Sequence, residues 1–170
     1  MNLKLIGVIV AIAIAMSGYM LYTQYSQPRN EQVAINSVVK GMPTISVTPE
    51  ARDLGDVSMS KGTVNTLFSL ANTGTADLII RDMEATCMCT KAAVIQNGHE
   101  GPTFGMRAHG QNPKDWSATL KPGEEVALKV YYDPTVHGEI HGAVERWVRI
   151  YSNDPAHPHV DVKIELNQVH

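Results

Sequence analysis

Cysteine is nearly absent from this chain. Its 170 residues contain two, Cys87 and Cys89, and each is the other's only intrachain partner. There is no Cys-x-x-Cys pair and no βαβ pattern, which excludes a thioredoxin-like enzyme. No glycine-rich phosphate loop precedes a helix, so nucleotide binding has no motif. Any serine, histidine and aspartate can be drawn together as a triad on paper, but the Gly-x-Ser-x-Gly elbow is missing. Positive charge is also short. Fourteen lysines and arginines stand against 17 aspartates and glutamates, a formal net charge of −3, with no basic stripe. Nucleic acid is therefore excluded as a partner, and Arg146 and Arg149 read as solvated or paired residues on one strand. With no catalytic constellation in view, the chain reads as a non-enzymatic protein.

What the chain does have begins at its start. Leu5 to Tyr22 is a run of 18 residues without a charge. As a helix it spans about 27 Å at 1.5 Å per residue, enough for a thin bilayer. Tyr19, Tyr22 and Tyr25 follow, as in an interfacial aromatic belt. The rival reading is a cleaved signal peptide with Ala13-Ile14-Ala15 as its processing site. The apolar run continues past that site, which favours an uncleaved single-pass anchor over residues 1–22. Either reading exports the remainder, and the expected location is the inner membrane with the domain on the periplasmic side. No cysteine lies near the end of the run for lipid attachment. Residues 23–42 are a polar stem.

From Pro43 to His170 the pattern is all-β, and about 128 residues suffice for one core. Ile45 and Val47 open an alternating strand, and Leu54 to Val57 form a second. Val64, Thr66, Phe68 and Leu70 alternate, and Leu78 to Met83 run toward the cysteines. Val126, Leu128, Val130 and Tyr132 line one face; Val144, Val148 and Ile150 do the same. Val160, Val162, Ile164 and Leu166 alternate with polar residues. Turn signals at Asn72-Thr73-Gly74, Pro122-Gly123 and Asn153-Asp154-Pro155 separate these runs. About seven short strands with regular turns predict an immunoglobulin-like antiparallel sandwich. Residues 90–119 break the rhythm and read as one long glycine-rich loop, carrying His99, Met106 and His109 and ending near Trp116. Loops of that length inside a compact domain are commonly functional.

Cys87-Met88-Cys89 carries the chemistry. On an extended strand, residues i and i+2 share a face, so the sulfurs project together and Met88 points away. They can hold one metal ion or close a small, strained, labile disulfide; alternatively they are two small buried apolar residues. Met106 and His109 are three residues apart, so one turn can aim both at the sulfurs. Cys87, Cys89, Met106 and His109 then form a soft ligand set suited to Cu(I), with zinc as a second possibility. Met83 and His99 are weaker extra candidates. His137 and His141, beside Gly138 and Gly142, read as solvated loop residues, as do His157 and His159. The same two cysteines support a thiol-redox partner, since exported thiols tend to oxidise. A third reading is an interaction module that binds a partner by strand addition at a sheet edge.

Leu54-Gly55-Asp56-Val57, Phe68-Ser69-Leu70-Ala71-Asn72-Thr73-Gly74, Cys87-Met88-Cys89-Thr90, Leu120-Lys121-Pro122-Gly123-Glu124, Tyr132-Asp133-Pro134 and Tyr151-Ser152-Asn153 follow one another in this order. In this respect residues 45–169 resemble an uncharacterised bacterial family, the domain of unknown function 1573 type, related to PapD, major-sperm-protein and Hydin-type domains. The usual family motif is Cys-Gly-Cys-Thr, and here Met88 replaces the glycine. The connection from that motif to the Pro-Gly turn is also longer here. The resemblance implies an exported or surface sandwich and implies no reaction.

Overall fold

The computed structural model describes residues 3–25, 41–109, 112–138 and 140–170. The chain divides into two units, one up to residue 40 and one from Gly41 onward. In the first, α1 spans Leu3–Tyr25. Among the described residues no helix is long and apolar enough to cross a membrane. Most of the stem expected over 23–42, from 26 to 40, lies outside the described residues.

The second unit is a sandwich of two five-stranded sheets. Its strands are β1 (Ile45–Thr48), β2 (Ala51–Ser58), β3 (Val64–Asn72), β4 (Leu78–Ala85), β5 (Thr90–Gln96), β6 (His99–Glu100), β7 (Ala118–Leu120), β8 (Glu125–Tyr132), β9 (Gly142–Ser152) and β10 (His159–Val169). One sheet has the order β1-β3-β8-β5-β6, the other β2-β10-β9-β4-β7. All pairs are antiparallel except β2 with β10, whose register shifts between Glu165 and Asn167. Gly55 sits opposite that shift with φ +62°, a backbone conformation open to glycine.

The alternation read from the sequence decides which face each strand buries. On β8, Val126, Leu128, Val130 and Tyr132 turn inward. On β10, Val162, Ile164 and Leu166 do so. Phe68 and Leu70 from β3 meet Leu78 and Ile80 from β4 in the same core. Buried polar groups are satisfied. Asn72 donates from Nδ2 to the carbonyls of Ala76 and Leu120 and accepts from the amides of Gly74 and Thr44. Asp154, 1% exposed, accepts from the amides of Ile45, Ala156 and His157. A Cβ at Gly74 would lie 2.2 Å from the Met42 carbonyl oxygen, so only glycine fits that close crossing.

Among the described residues the count of about seven strands is corrected to ten, because the expected loop over 90–119 holds β5, β6 and the start of β7. β5 pairs with β8 from Thr90↔Tyr132 to Ile95↔Ala127 and lies inside its sheet. Thr90, Ala92, Ala93 and Val94 are all buried while Lys91 is exposed, so the alternation is broken by three consecutive buried residues. The segment beyond it is pinned as well. The Gly101 amide donates to the Val94 carbonyl, and Ala92 and Phe104 exchange two backbone hydrogen bonds of 2.8 Å. Phe104 is fully buried and meets the Trp116 ring edge-on at 5.1 Å. A Cβ at Gly101 would press to 3.3 Å on both Trp116 Nε1 and the Val94 carbonyl oxygen.

Candidate metal centre

β4 ends at Ala85 and β5 begins at Thr90, and these two strands belong to opposite sheets. The chain must cross the sandwich within four residues, and Cys87-Met88-Cys89 makes that crossing. The Thr90 amide donates to the Cys87 carbonyl at 3.1 Å, closing a tight turn. The Thr86 amide, 3.0 Å from the Trp147 carbonyl oxygen, ties the turn to β9. The extended geometry expected for Cys87–Cys89 is therefore corrected to a turn. The change of sheet requires it, since a continuing strand would keep Thr90 in the β4 sheet. The turn brings the two Sγ atoms to 2.6 Å. Met88 is exposed.

The sulfurs have distinct surroundings. Cys87 Sγ accepts from the Cys89 amide at 3.5 Å and lies 3.2 Å from His137 Nε2. Cys89 is 3% exposed, and its Sγ accepts from Arg146 Nε at 3.2 Å, with the Thr90 hydroxyl at 3.7 Å. Burial pushes the Cys89 thiol up and the hydrogen bond with Cys87 adds to this; Arg146 and Thr90 pull the other way. Burial also raises the neighbouring Tyr132 hydroxyl. The Cys89 side opens onto a cleft of about 230 Å³ lined by Met88, Lys91, Tyr131, Asp133 and Val136.

Cys87 Sγ, Cys89 Sγ and a ring nitrogen of His137 all lie within 4.8 Å of one another. One ion bonded at about 2.0–2.3 Å can touch all three. A tetrahedral ion needs the sulfurs about 3.8 Å apart at such bond lengths, so an ion held there would require the 2.6 Å pair to open by roughly 1 Å. The reading of His137 as a solvated loop residue is thus corrected. His137 lies in the turn after Pro134, where the Ile140 amide donates to its carbonyl.

His109, expected as a ligand, stands outside this cluster and is exposed. Met106, expected with it, is half-buried on the same turn, where the His109 amide donates to the Met106 carbonyl. Contacts to β4 hold that turn. Asn112 Nδ2 donates to the Met83 and Gly105 carbonyls, and the Ala85 amide donates to the Gly105 carbonyl. Arg107 pairs at 2.9 Å with both Asp82 and Glu84 and lies over the Tyr151 ring. Met83, a weaker candidate, is fully buried in the core, and His99 is exposed on β6.

Arg146 is the residue that sequence reasoning missed. On β9 it occupies the same face as Val144, Val148 and Ile150, all of them buried. The signal was present in the run Val144-x-Arg146-x-Val148-x-Ile150: a cation in an inward slot needs a polar partner there.

Residues 45–102 match the family described as Protein of unknown function (DUF1573). The DUF1573 match runs from β1 through β6 and contains Cys87 and Cys89; His137 and Arg146 come from beyond it. No curated protein matches the sequence. Among solved structures, the domain is similar to a protein of unknown function from Porphyromonas gingivalis W83. The identity is 17% and the TM-score 0.55, over 74% of this chain and 46% of that one. The chain therefore spans less than half the length of that relative. A family 123 glycoside hydrolase from Clostridium perfringens is similar at 5% identity and TM-score 0.52, over 76% of this chain and 27% of that one. PapD-like domain 7 of human CEP192 is similar at 10% identity and TM-score 0.47, over 76% and 87%. The first two likenesses show the sandwich fold.

Proposed function

We propose that this chain is a non-enzymatic binding module that holds one soft metal ion, such as Cu(I), through Cys87, Cys89 and His137. The convergence of those three donors within 4.8 Å carries the reading. Two thiolates and an imidazole favour soft and borderline metals over calcium or magnesium. The Cys89 amide lies 3.5 Å from Cys87 Sγ and the Arg146 guanidinium donates to Cys89 Sγ, contacts that hold the two sulfurs in place beside His137. The uncharged run Leu5–Tyr22 in the sequence supports export of the domain, as an anchor or as a cleaved signal peptide. The test is Cu(I) titration of the reduced full chain against a competing chelator. One equivalent held by the wild type and lost in Cys87→Ser is the expected result; binding that survives Cys87→Ser and Cys89→Ser unchanged refutes the reading.

A second reading is supported by the 2.6 Å separation of the sulfurs. Two adjacent thiols can pass two electrons and two protons to an external disulfide, closing the Cys87–Cys89 bond and releasing two thiols. Cys87, the more exposed sulfur, is the one a partner reaches. Thiols that stay free in the presence of an excess of a small disulfide refute this reading.

A further inference from the structure

We propose that Arg146 makes the Cys87–Cys89–His137 site selective for a monovalent soft cation, Cu(I) by chemical class, over divalent Zn(II). The inference rests on the metal reading above and adds a choice between charges to it. Arg146 points inward on β9, opposite the buried Ile164 of β10. A guanidinium does not lose its proton in proteins, so an inward slot demands compensation. One nitrogen, Nη1, donates to the Glu145 carbonyl at 2.7 Å, and Nε donates to Cys89 Sγ at 3.2 Å.

The charges at the sulfurs can be counted. Metal binding deprotonates both thiols and needs a neutral imidazole. Two thiolates, one imidazole and one guanidinium sum to −1. A monovalent ion brings the set to zero, whereas a divalent ion leaves +1 beside Cys89 and Tyr132, which are 3% and 1% exposed. The other charges lining the cleft with Cys89 are Lys91 and Asp133, which are opposite in sign and offset one another. At an effective dielectric of about 20, unit charges a few ångströms apart shift an equilibrium by more than tenfold.

The test uses the full chain, reduced and kept in mild detergent, titrated with Cu(I) and separately with Zn(II) against competing chelators. The wild type is expected to hold Cu(I) and to release Zn(II) readily. Removing the charge in Arg146→Gln is expected to shift the ratio of Zn(II) to Cu(I) affinity toward Zn(II) by about tenfold or more. Arg146→Lys keeps the charge and the wild-type preference. Arg146→Met fills the inward slot without charge and serves in place of the glutamine variant if that variant does not fold. An unchanged ratio of Zn(II) to Cu(I) affinity in the neutral variants overturns the role of Arg146 and leaves the metal site standing. Failure of both metals to bind the wild type above a Cys87→Ser/Cys89→Ser control removes the metal site, and this inference with it.

Discussion

Asp154 holds two parts of the sandwich at once, so its replacement by alanine has a calculable cost. One carboxylate oxygen accepts from the Ile45 amide at 3.0 Å, fixing the first residue of β1. The other accepts from the amides of Ala156 and His157 at 2.8 and 3.1 Å, shaping the turn between β9 and β10. In Asp154→Ala the Ile45 amide is left buried without a partner, at about 2 kcal/mol for a bond to a charged acceptor. The other two amides lie on exposed residues and can turn to water, at about 0.5 kcal/mol each. The sum is about 3 kcal/mol, or roughly 10–15 °C in melting temperature for a domain of this size. Asp154→Asn keeps one acceptor oxygen and loses about half as much. The pH dependence provides a second check. Burial works against the charge, but the amides of Ile45, His157 and Ala156 outweigh it and hold the carboxyl below the usual aspartate range. A carboxyl depressed in the folded state stabilises fully above its unfolded value, near pH 4, and the contribution disappears as the pH falls through the lower folded value. Urea denaturation of wild type and Asp154→Ala should therefore show a gap at pH 7 that closes in strong acid. A gap under about 1 kcal/mol at neutral pH, or one that persists in acid, refutes this account of the turn.

Other outcomes follow from the site and the core. His137→Ala is expected to lower Cu(I) affinity by tenfold or more, whereas His109→Ala leaves it within about twofold; the opposite ranking in a chelator competition would return the ligand role to the loop. Tyr132→Phe removes the donor 2.5 Å from Gln168 Oε1, a buried oxygen on a side chain that also donates to the Pro134 carbonyl. The expected loss is about 1–2 kcal/mol, measured as a lower urea midpoint at constant slope.

Strands with one buried face were legible in the sequence, since β8 and β10 alternate residue by residue and lie where the pattern places them. β5 was not, because Ala92, Ala93 and Val94 are buried in succession and Lys91 alone marks an exposed position before them. Its small alanines also carry little strand propensity. The two sulfurs were legible as the chemical centre; their third partner was not. Spacing along the chain suggested Met106 and His109, yet Arg107 and Asn112 fasten that turn to β4. His137 reaches Cys87 from 50 residues away, a separation that only the closure of the sandwich brings together. Arg146 stood in plain sight among valines on β9, and its register position carried more information than its charge.

The turn through Cys87 and Cys89 is one of the covalent straps from one sheet to the other at this end of the sandwich. Whatever closes the two sulfurs, with His137 drawn in from the turn after β8, also clasps the layers. Occupancy then becomes mechanical as well as chemical. A ligand present at a thousand times its dissociation constant adds about 4 kcal/mol to the folded state. That gain would be felt first where the strap is anchored, in slower exchange of the Thr86 and Thr90 amides with solvent. An ion held there would thus appear as a stiffening of one edge of the domain.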